Sequence, residues 1–131
     1  MKTTVSDHIA KAEDSLEAAR YLILEEYVEA AVNRAYYAMF DTTRTLLFVK
    51  DIFAKTHKGV HAKFHELYIK EGHLPASLGT ILSQTEDMRE KGDYEFEQIL
   101  TLSDAQKAIE DATYFLEQAK QYLTAHQLLN D

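Results

Sequence analysis

The side chains best suited to chemistry lie together on one stretch of the chain. Arg34, Tyr37 and Asp41 stand at positions i, i+3 and i+7, so on a helix they project from one side, and Asn33 and Arg44 border them. We call these five residues the strip. One interpretation is an ion pair between Arg34 and Asp41 that fixes the orientation of the helix. The other is a groove that binds an anion or a partner protein. The spacing alone favours the ion pair, which is the simpler of the two.

Three histidines at four-residue steps form a second candidate group. Neighbours among His57, His61 and His65 share a helical face, and a histidine pair can bind a metal ion. A complete site needs a third or fourth ligand, and a drift of about 40° per step separates the first histidine from the last. The sequence also lacks the pattern His-Glu-x-x-His. We therefore predict a solvated cluster and no metal site.

Composition excludes several other classes of chemistry. The 131 residues include no cysteine, four glycines, one proline and no glycine-rich phosphate loop. Thiolate chemistry and P-loop or Rossmann nucleotide binding are therefore excluded, and we expect no cofactor. A net charge of −8 disfavours extended DNA binding, because most of the surface would repel a phosphate backbone. Local capture of a nucleotide or an RNA loop by a few converging arginines stays open.

The sequence also bears on location and size. It has neither an apolar leader core nor a run of about 18 apolar residues, so we expect a cytoplasmic protein without a membrane segment. The length and the absence of a linker predict one domain over residues 1–131.

The hydrophobic pattern predicts an all-α fold. Apolar residues recur at three- and four-residue steps, and turn-forming residues are few. The stretch Tyr27–Lys50 is apolar over more than half its circumference, which places it at the centre of an up-down bundle of four to five helices. The other predicted elements are a helix over Asp7–Leu24 capped by Ser6, a third from Thr56 to about Gly72, a fourth from Pro75 to Glu90 that is broken at Lys91–Asp93, and a last helix that opens on a capping box at Ser103–Gln106.

Three blocks of the sequence resemble conserved blocks of one protein family. Residues 29–41, Glu-Ala-Ala-Val-Asn-Arg-Ala-Tyr-Tyr-Ala-Met-Phe-Asp, resemble the signature of a prokaryotic branch of the HEPN superfamily. Thr56–Val60 resembles the second block of that branch, and Arg89–Tyr94, which reads Arg-Glu-Lys-Gly-Asp-Tyr, resembles its third. The blocks occur in the expected order and together span most of the chain.

The resemblance implies a homodimer of helical bundles whose cleft is lined by the second helix of each subunit. An apolar flank on that helix (Tyr36, Phe40 and Leu47) also favours a dimer. Many HEPN proteins are encoded beside a minimal nucleotidyltransferase and act with it as a toxin–antitoxin pair. Active members cleave RNA without a metal through an Arg-x(4–6)-His motif, in which histidine moves a proton and arginine stabilises phosphate charge. The residues that the strip and the resemblance together assign to binding are Asn33, Arg34, Tyr37, Asp41, Arg44, His57, Lys58, Arg89, Asp93 and Tyr94.

The sequence departs from the family at the catalytic position. Asp41 stands where the motif would place its histidine, and Thr43 stands where some relatives carry a tyrosine that receives a nucleotide from the partner. A carboxylate that pairs with arginine accepts a proton at neutral pH but does not donate one. The favoured hypothesis is therefore a non-catalytic homodimeric subunit that binds a nucleotidyltransferase, a nucleotide or both. The alternative is a metal-independent ribonuclease toxin that uses Arg34 with Asp41 or with a nearby histidine such as His57.

Overall fold

The computed structural model describes residues 4–94 and 99–129, without the side chains of Asp93 and Tyr94. All regular elements in those residues are helices, which confirms the all-α prediction. No helix within them is long and apolar enough to cross a membrane. The elements are α1 (Val5–Leu24), α2 (Val28–Phe48), α3 (His57–Phe64), a π-helical turn (His65–Ile69), α4 (Ala76–Tyr94) and α5 (Leu102–Ala125).

Threonine side chains begin three of the helices. The Thr56 hydroxyl accepts the Gly59 N–H at 2.9 Å and starts α3, as the sequence predicted. At α1 and α5 the predicted caps, Ser6 and Ser103, were wrong by two residues. Each serine lies inside its helix, because the cap is a threonine two positions earlier, whose backbone is extended. An aspartate at the third helical position bonds back to that threonine and completes a reciprocal capping box. The two boxes are Thr4 with Asp7 and Thr101 with Asp104.

Three helices end in left-handed residues that are not glycine. Glu26, Asp51 and Gln127 have φ values of 60°, 58° and 56°. Each allows the next N–H to reach the carbonyl five residues back, which satisfies a carbonyl of the last turn. Such conformations cost roughly 1–2 kcal/mol for a residue with a Cβ atom. These backbone hydrogen bonds run from Tyr27 to Leu22, from Ile52 to Leu47 and from Leu128 to Leu123.

The predicted break in the fourth helix at Lys91–Asp93 was wrong, because α4 continues to Tyr94. Gly92 serves packing there. A Cβ atom at this position would lie 2.7 Å from Leu100 Cδ1 and 3.4 Å from Glu29 Cγ. A glycine therefore allows the segment before α5 and the start of α2 to approach α4 closely.

The central position predicted for the second helix is confirmed. α2 contacts α1, α3, α4 and α5, and α1 runs antiparallel to α5, with Glu13 bonded to Lys120 and Arg20 bonded to Thr113. The predicted apolar stripe on α2 faces this core. Its buried members are Ala31, Ala35, Met39, Thr42 and Leu46, and its ends, Val28 and Val49, are half-buried.

Candidate functional site

A partly buried polar cluster joins α2, α3 and α4. Its centre is the Tyr36 hydroxyl, which donates to Glu86 Oε2 at 2.6 Å and lies 2.9 Å from His57 Nδ1 and 3.1 Å from His61 Nε2. The Tyr36 side chain is fully buried. We call Tyr36, His57, His61 and Glu86 the Tyr36 cluster. The helical spacing of His57 and His61 points both rings toward α2, so the predicted solvated histidine cluster was wrong for this pair.

The hydrogen-bond network of the Tyr36 cluster assigns the tautomers of its histidines. A phenol has one proton, and Tyr36 uses it on Glu86, so its lone pairs accept N–H bonds from the two rings. His57 then carries its proton on Nδ1, which leaves Nε2 as a basic nitrogen on a side chain that is 39% exposed. His61 carries its proton on Nε2. The histidine pair is thus occupied in hydrogen bonding around a phenol.

Burial shifts the acid–base properties of the Tyr36 cluster. It raises the pKa of Tyr36, and the hydrogen bond to Glu86 adds to the shift, so the hydroxyl stays protonated. Burial also lowers the pKa of His61 below its usual 6.5, although the Glu86 carboxylate opposes that effect. The folded protein therefore favours neutral His61.

Acid should destabilise the fold through His61. Because the folded pKa is lowered, the unfolded chain binds a proton more readily, and stability falls as the pH drops below about 6.5 toward the folded pKa. The free energy of unfolding, measured in urea at pH 7.5 and at pH 5.5, should fall less for His61→Gln than for the wild type. Glutamine keeps an N–H donor at this position. His65→Gln, an exposed histidine one turn later, is the matched control. An equal loss of stability in the wild type and in His61→Gln would contradict the prediction that His61 causes the acid sensitivity.

A second group surrounds the half-buried Tyr37 ring on α2. The Arg34 guanidinium carbon lies 5.6 Å from the ring centre and that of Arg89 lies 5.7 Å from it. The His57 ring meets Tyr37 edge-on at 6.0 Å. We call Arg34, Tyr37, His57 and Arg89 the Tyr37 face. It brings together four of the predicted site residues, from α2, α3 and α4.

The Arg34–Asp41 ion pair favoured by the spacing does not form. Within residues 4–94 and 99–129, Arg34 has no ion pair, and its buried Nε has no hydrogen-bond partner. Asp41, two helical turns further on, lines a cleft beside α1 instead, and Arg44 lines the same cleft. The predicted strip therefore divides between two surfaces.

Two of the remaining predicted site residues lie beside these groups. Asn33 is half-buried beside Arg34, and Lys58 is exposed in the first turn of α3. The side chains of Asp93 and Tyr94 lie outside the described residues. No group of three or more histidine, aspartate or glutamate side chains in the described part of the chain is arranged to hold a metal ion.

Sequence reasoning missed two members of the Tyr36 cluster. Tyr36 was assigned to an apolar flank, and Glu86 received no role. One signal was available, because a buried tyrosine needs a partner for its hydroxyl. The sequence does not indicate that this partner is Glu86, 50 residues away on α4.

The arginine-bearing central helix and the helices around it define a known domain class. The HEPN domain matches residues 5–122, so the chain belongs to the HEPN family, and the resemblance is confirmed. Two proteins of Methanocaldococcus jannaschii that are named as candidate toxins are each 33% identical to it. One match covers 92% of this chain and 82% of the relative, and the other covers 86% and 83%. A UPF0332 protein of Gloeobacter violaceus is 33% identical to this chain, and the match covers 89% of this chain and 94% of the relative.

Proposed function

We propose that this chain is the HEPN subunit of a two-protein system of the toxin–antitoxin type. It acts as one cytoplasmic domain, forms a homodimer and binds a nucleotidyltransferase partner, a nucleotide or both. It does so without cleaving RNA. Membership of the HEPN family and the names of the two archaeal relatives support the first part of this proposal.

The observation that carries the binding role is the unpaired state of Arg34. In a chain with a net charge of −8, acidic partners for an arginine are plentiful, yet none in the described part of the chain pairs with Arg34. Its guanidinium rests on Tyr37, which fixes its position without neutralising its charge. A fixed, unneutralised arginine is suited to a phosphate group or to a carboxylate of a partner protein.

The position of Asp41 supports binding without catalysis. Metal-free cleavage through the 2′-hydroxyl needs one group to accept a proton and another to donate it. Asp41 stands at the position of the motif histidine. Its side chain lines the cleft beside α1 and forms no ion pair with Arg34. Arg34 of the motif is therefore present, but the motif's acid–base residue is absent from its expected position.

One observation favours the alternative, a ribonuclease toxin. His57 and Arg34 both contact Tyr37, and the tautomer assigned from the network leaves His57 Nε2 as a hydrogen-bond acceptor. A histidine delivered from α3 would then replace the missing one on α2. Metal-free RNA cleavage by the wild type that both Arg34→Ala and His57→Gln abolish would establish this function over the favoured one.

The binding role predicts that Arg34→Gln removes affinity without unfolding the protein. Tagged protein from its native host should retain a nucleotidyltransferase identified by mass spectrometry, or should bind ATP in calorimetry. Arg34→Gln should weaken that binding about tenfold or more, because it removes a charged hydrogen-bond donor. Arg20→Gln is the control, since Arg20 bonds to Glu17 and Thr113 on another surface. Binding that is absent, or equal in both variants, would refute the role of Arg34.

We expect a homodimer, although the reason taken from the sequence was wrong. The apolar flank of α2 is already buried within the chain, with Tyr36, Phe40 and Leu47 in the core. Large apolar side chains are exposed instead where α1 meets α2, at Tyr21, Leu24 and Tyr27.

Sedimentation or light scattering should give about twice the chain mass of 15.0 kDa. Replacing Leu24 and Tyr27 with serine should favour the monomer if this surface is the interface. A wild type that remains monomeric at micromolar concentration would contradict the dimer.

A further inference from the structure

A cleft of about 270 Å³ lies between α1 and the second half of α2, and residues of the loop before α3 also line it. Leu47 and Val60, both buried, contribute to its lining. Its volume is slightly below the usual range for pockets that hold drug-sized ligands, about 300–1,000 Å³. The cleft therefore suits a small ligand.

One wall of the cleft consists of stacked rings. His8 stacks on Phe48 with ring centres 4.9 Å apart and planes 15° apart. Phe53 meets Phe48 edge-on at 6.2 Å and is 76% exposed. The left-handed conformation of Asp51 ends α2 and turns the chain into the loop that carries Phe53. A large aromatic side chain is thus held at the cleft with most of its surface open to a planar ligand.

Three of the four charged side chains at the cleft are not committed to an ion pair or hydrogen bond within the described residues. Lys11, Asp41 and Arg44 line it, and none of the three side chains forms an ion pair or hydrogen bond within residues 4–94 and 99–129. Asp7, a fourth charged residue, is committed to capping α1 through Thr4, and that bond lowers its pKa. Two cations and one carboxylate remain available beside an aromatic wall.

We propose that this cleft binds a small aromatic anion, with a flat ring, one acidic group and one hydrogen-bond donor. The ring packs against Phe53 and Phe48. The acidic group pairs with Arg44 and Lys11, and the donor reaches the Asp41 carboxylate. This site does not depend on the function proposed for the Tyr37 face. Aromatic carboxylates and nucleoside monophosphates both have this chemistry.

Binding to the full-length protein should be measured by calorimetry with 4-aminobenzoate and with 5′-AMP as separate probes. At least one should bind saturably with a dissociation constant below about 1 mM. Arg44→Gln and Phe53→Ser should each weaken that binding about tenfold or more. Both side chains are exposed, so the variants should fold, which circular dichroism checks. Arg20→Gln and Tyr114→Ser replace an exposed arginine and an exposed aromatic residue elsewhere and should bind like the wild type.

A third variant, Arg34→Gln, separates this cleft from the Tyr37 face. The binding that Arg44→Gln and Phe53→Ser weaken should persist in this variant. Preference for 4-aminobenzoate identifies the ligand as an aromatic carboxylate, and preference for 5′-AMP identifies it as a nucleotide. AMP binding that Arg34→Gln abolishes and Arg44→Gln leaves intact would belong to the Tyr37 face and would overturn the proposal. It is equally overturned if neither probe binds, or if Arg44→Gln and Phe53→Ser bind like their controls.

Discussion

Met39→Asp is expected to unfold the bundle, whereas Arg34→Ala should leave it folded. Met39 has no exposed surface and lies at the centre of α2, where a carboxylate would have neither water nor a partner. Such a change costs more than about 4 kcal/mol, which approaches the whole stability of a small domain. Arg34 is partly exposed, and its contact with Tyr37 contributes only about 0.5–1 kcal/mol.

Urea unfolding followed by circular dichroism measures both effects. Met39→Leu is the matched control at the same position, since a swap of similar volume usually costs less than about 1.5 kcal/mol. If Arg34→Ala unfolds the protein as severely as Met39→Asp, Arg34 is a structural residue. The binding role proposed for the Tyr37 face would then fail.

The wild-type protein is expected to cleave RNA no faster than background. General acid–base catalysis contributes about 10²- to 10⁴-fold, and Asp41 does not supply a proton donor beside Arg34. The measurement is cleavage of one structured RNA in the presence of chelator by the wild type, Arg34→Ala and His57→Gln. All three should give the same background rate, and expression without a partner should not be toxic.

Asp41→His restores the residue of the family motif and completes this comparison. Cleavage by Asp41→His that Arg34→Ala abolishes would identify a nuclease scaffold that lost its acid–base residue and kept its binding role. Robust cleavage by the wild type, lost in both Arg34→Ala and His57→Gln, would instead establish a ribonuclease toxin in which α3 supplies the histidine.

Helix content and the buried faces of α1, α2 and α5 follow from the sequence alone. The apolar stripe on α5, for example, is fully buried, because a repeat of three and four residues specifies one helical face whatever covers it. Its members are Ala105, Ala108, Ala112, Leu116, Ala119 and Leu123. The Thr56 cap was likewise predictable, since its hydrogen bond closes within three residues.

Helix ends were less predictable, because several residues compete for the same local role. Ser6 and Ser103 have the right chemistry for a cap, but Thr4 and Thr101 make a second hydrogen bond. The backbone N–H of each threonine donates to the aspartate three residues later. The left-handed residues that end α1, α2 and α5 are glutamate, aspartate and glutamine, so the usual glycine signal was missing. The error at Gly92 was the opposite one. This glycine was predicted to help break the helix, but it lies within α4 and allows neighbouring segments to pack closely.

The sequence by itself determined the helices, their inward faces and a set of candidate polar residues, because these depend on contacts within a turn or two of one helix. Only the tertiary structure decided how those residues combine. It placed Arg89 of α4 beside the Tyr37 ring and Asp41 in the cleft beside α1, because side chains at different turns of one helix meet different neighbours. It also brought Glu86 to Tyr36 across 50 residues of chain, since the packing of α4 against α2 sets that distance and no local spacing encodes it.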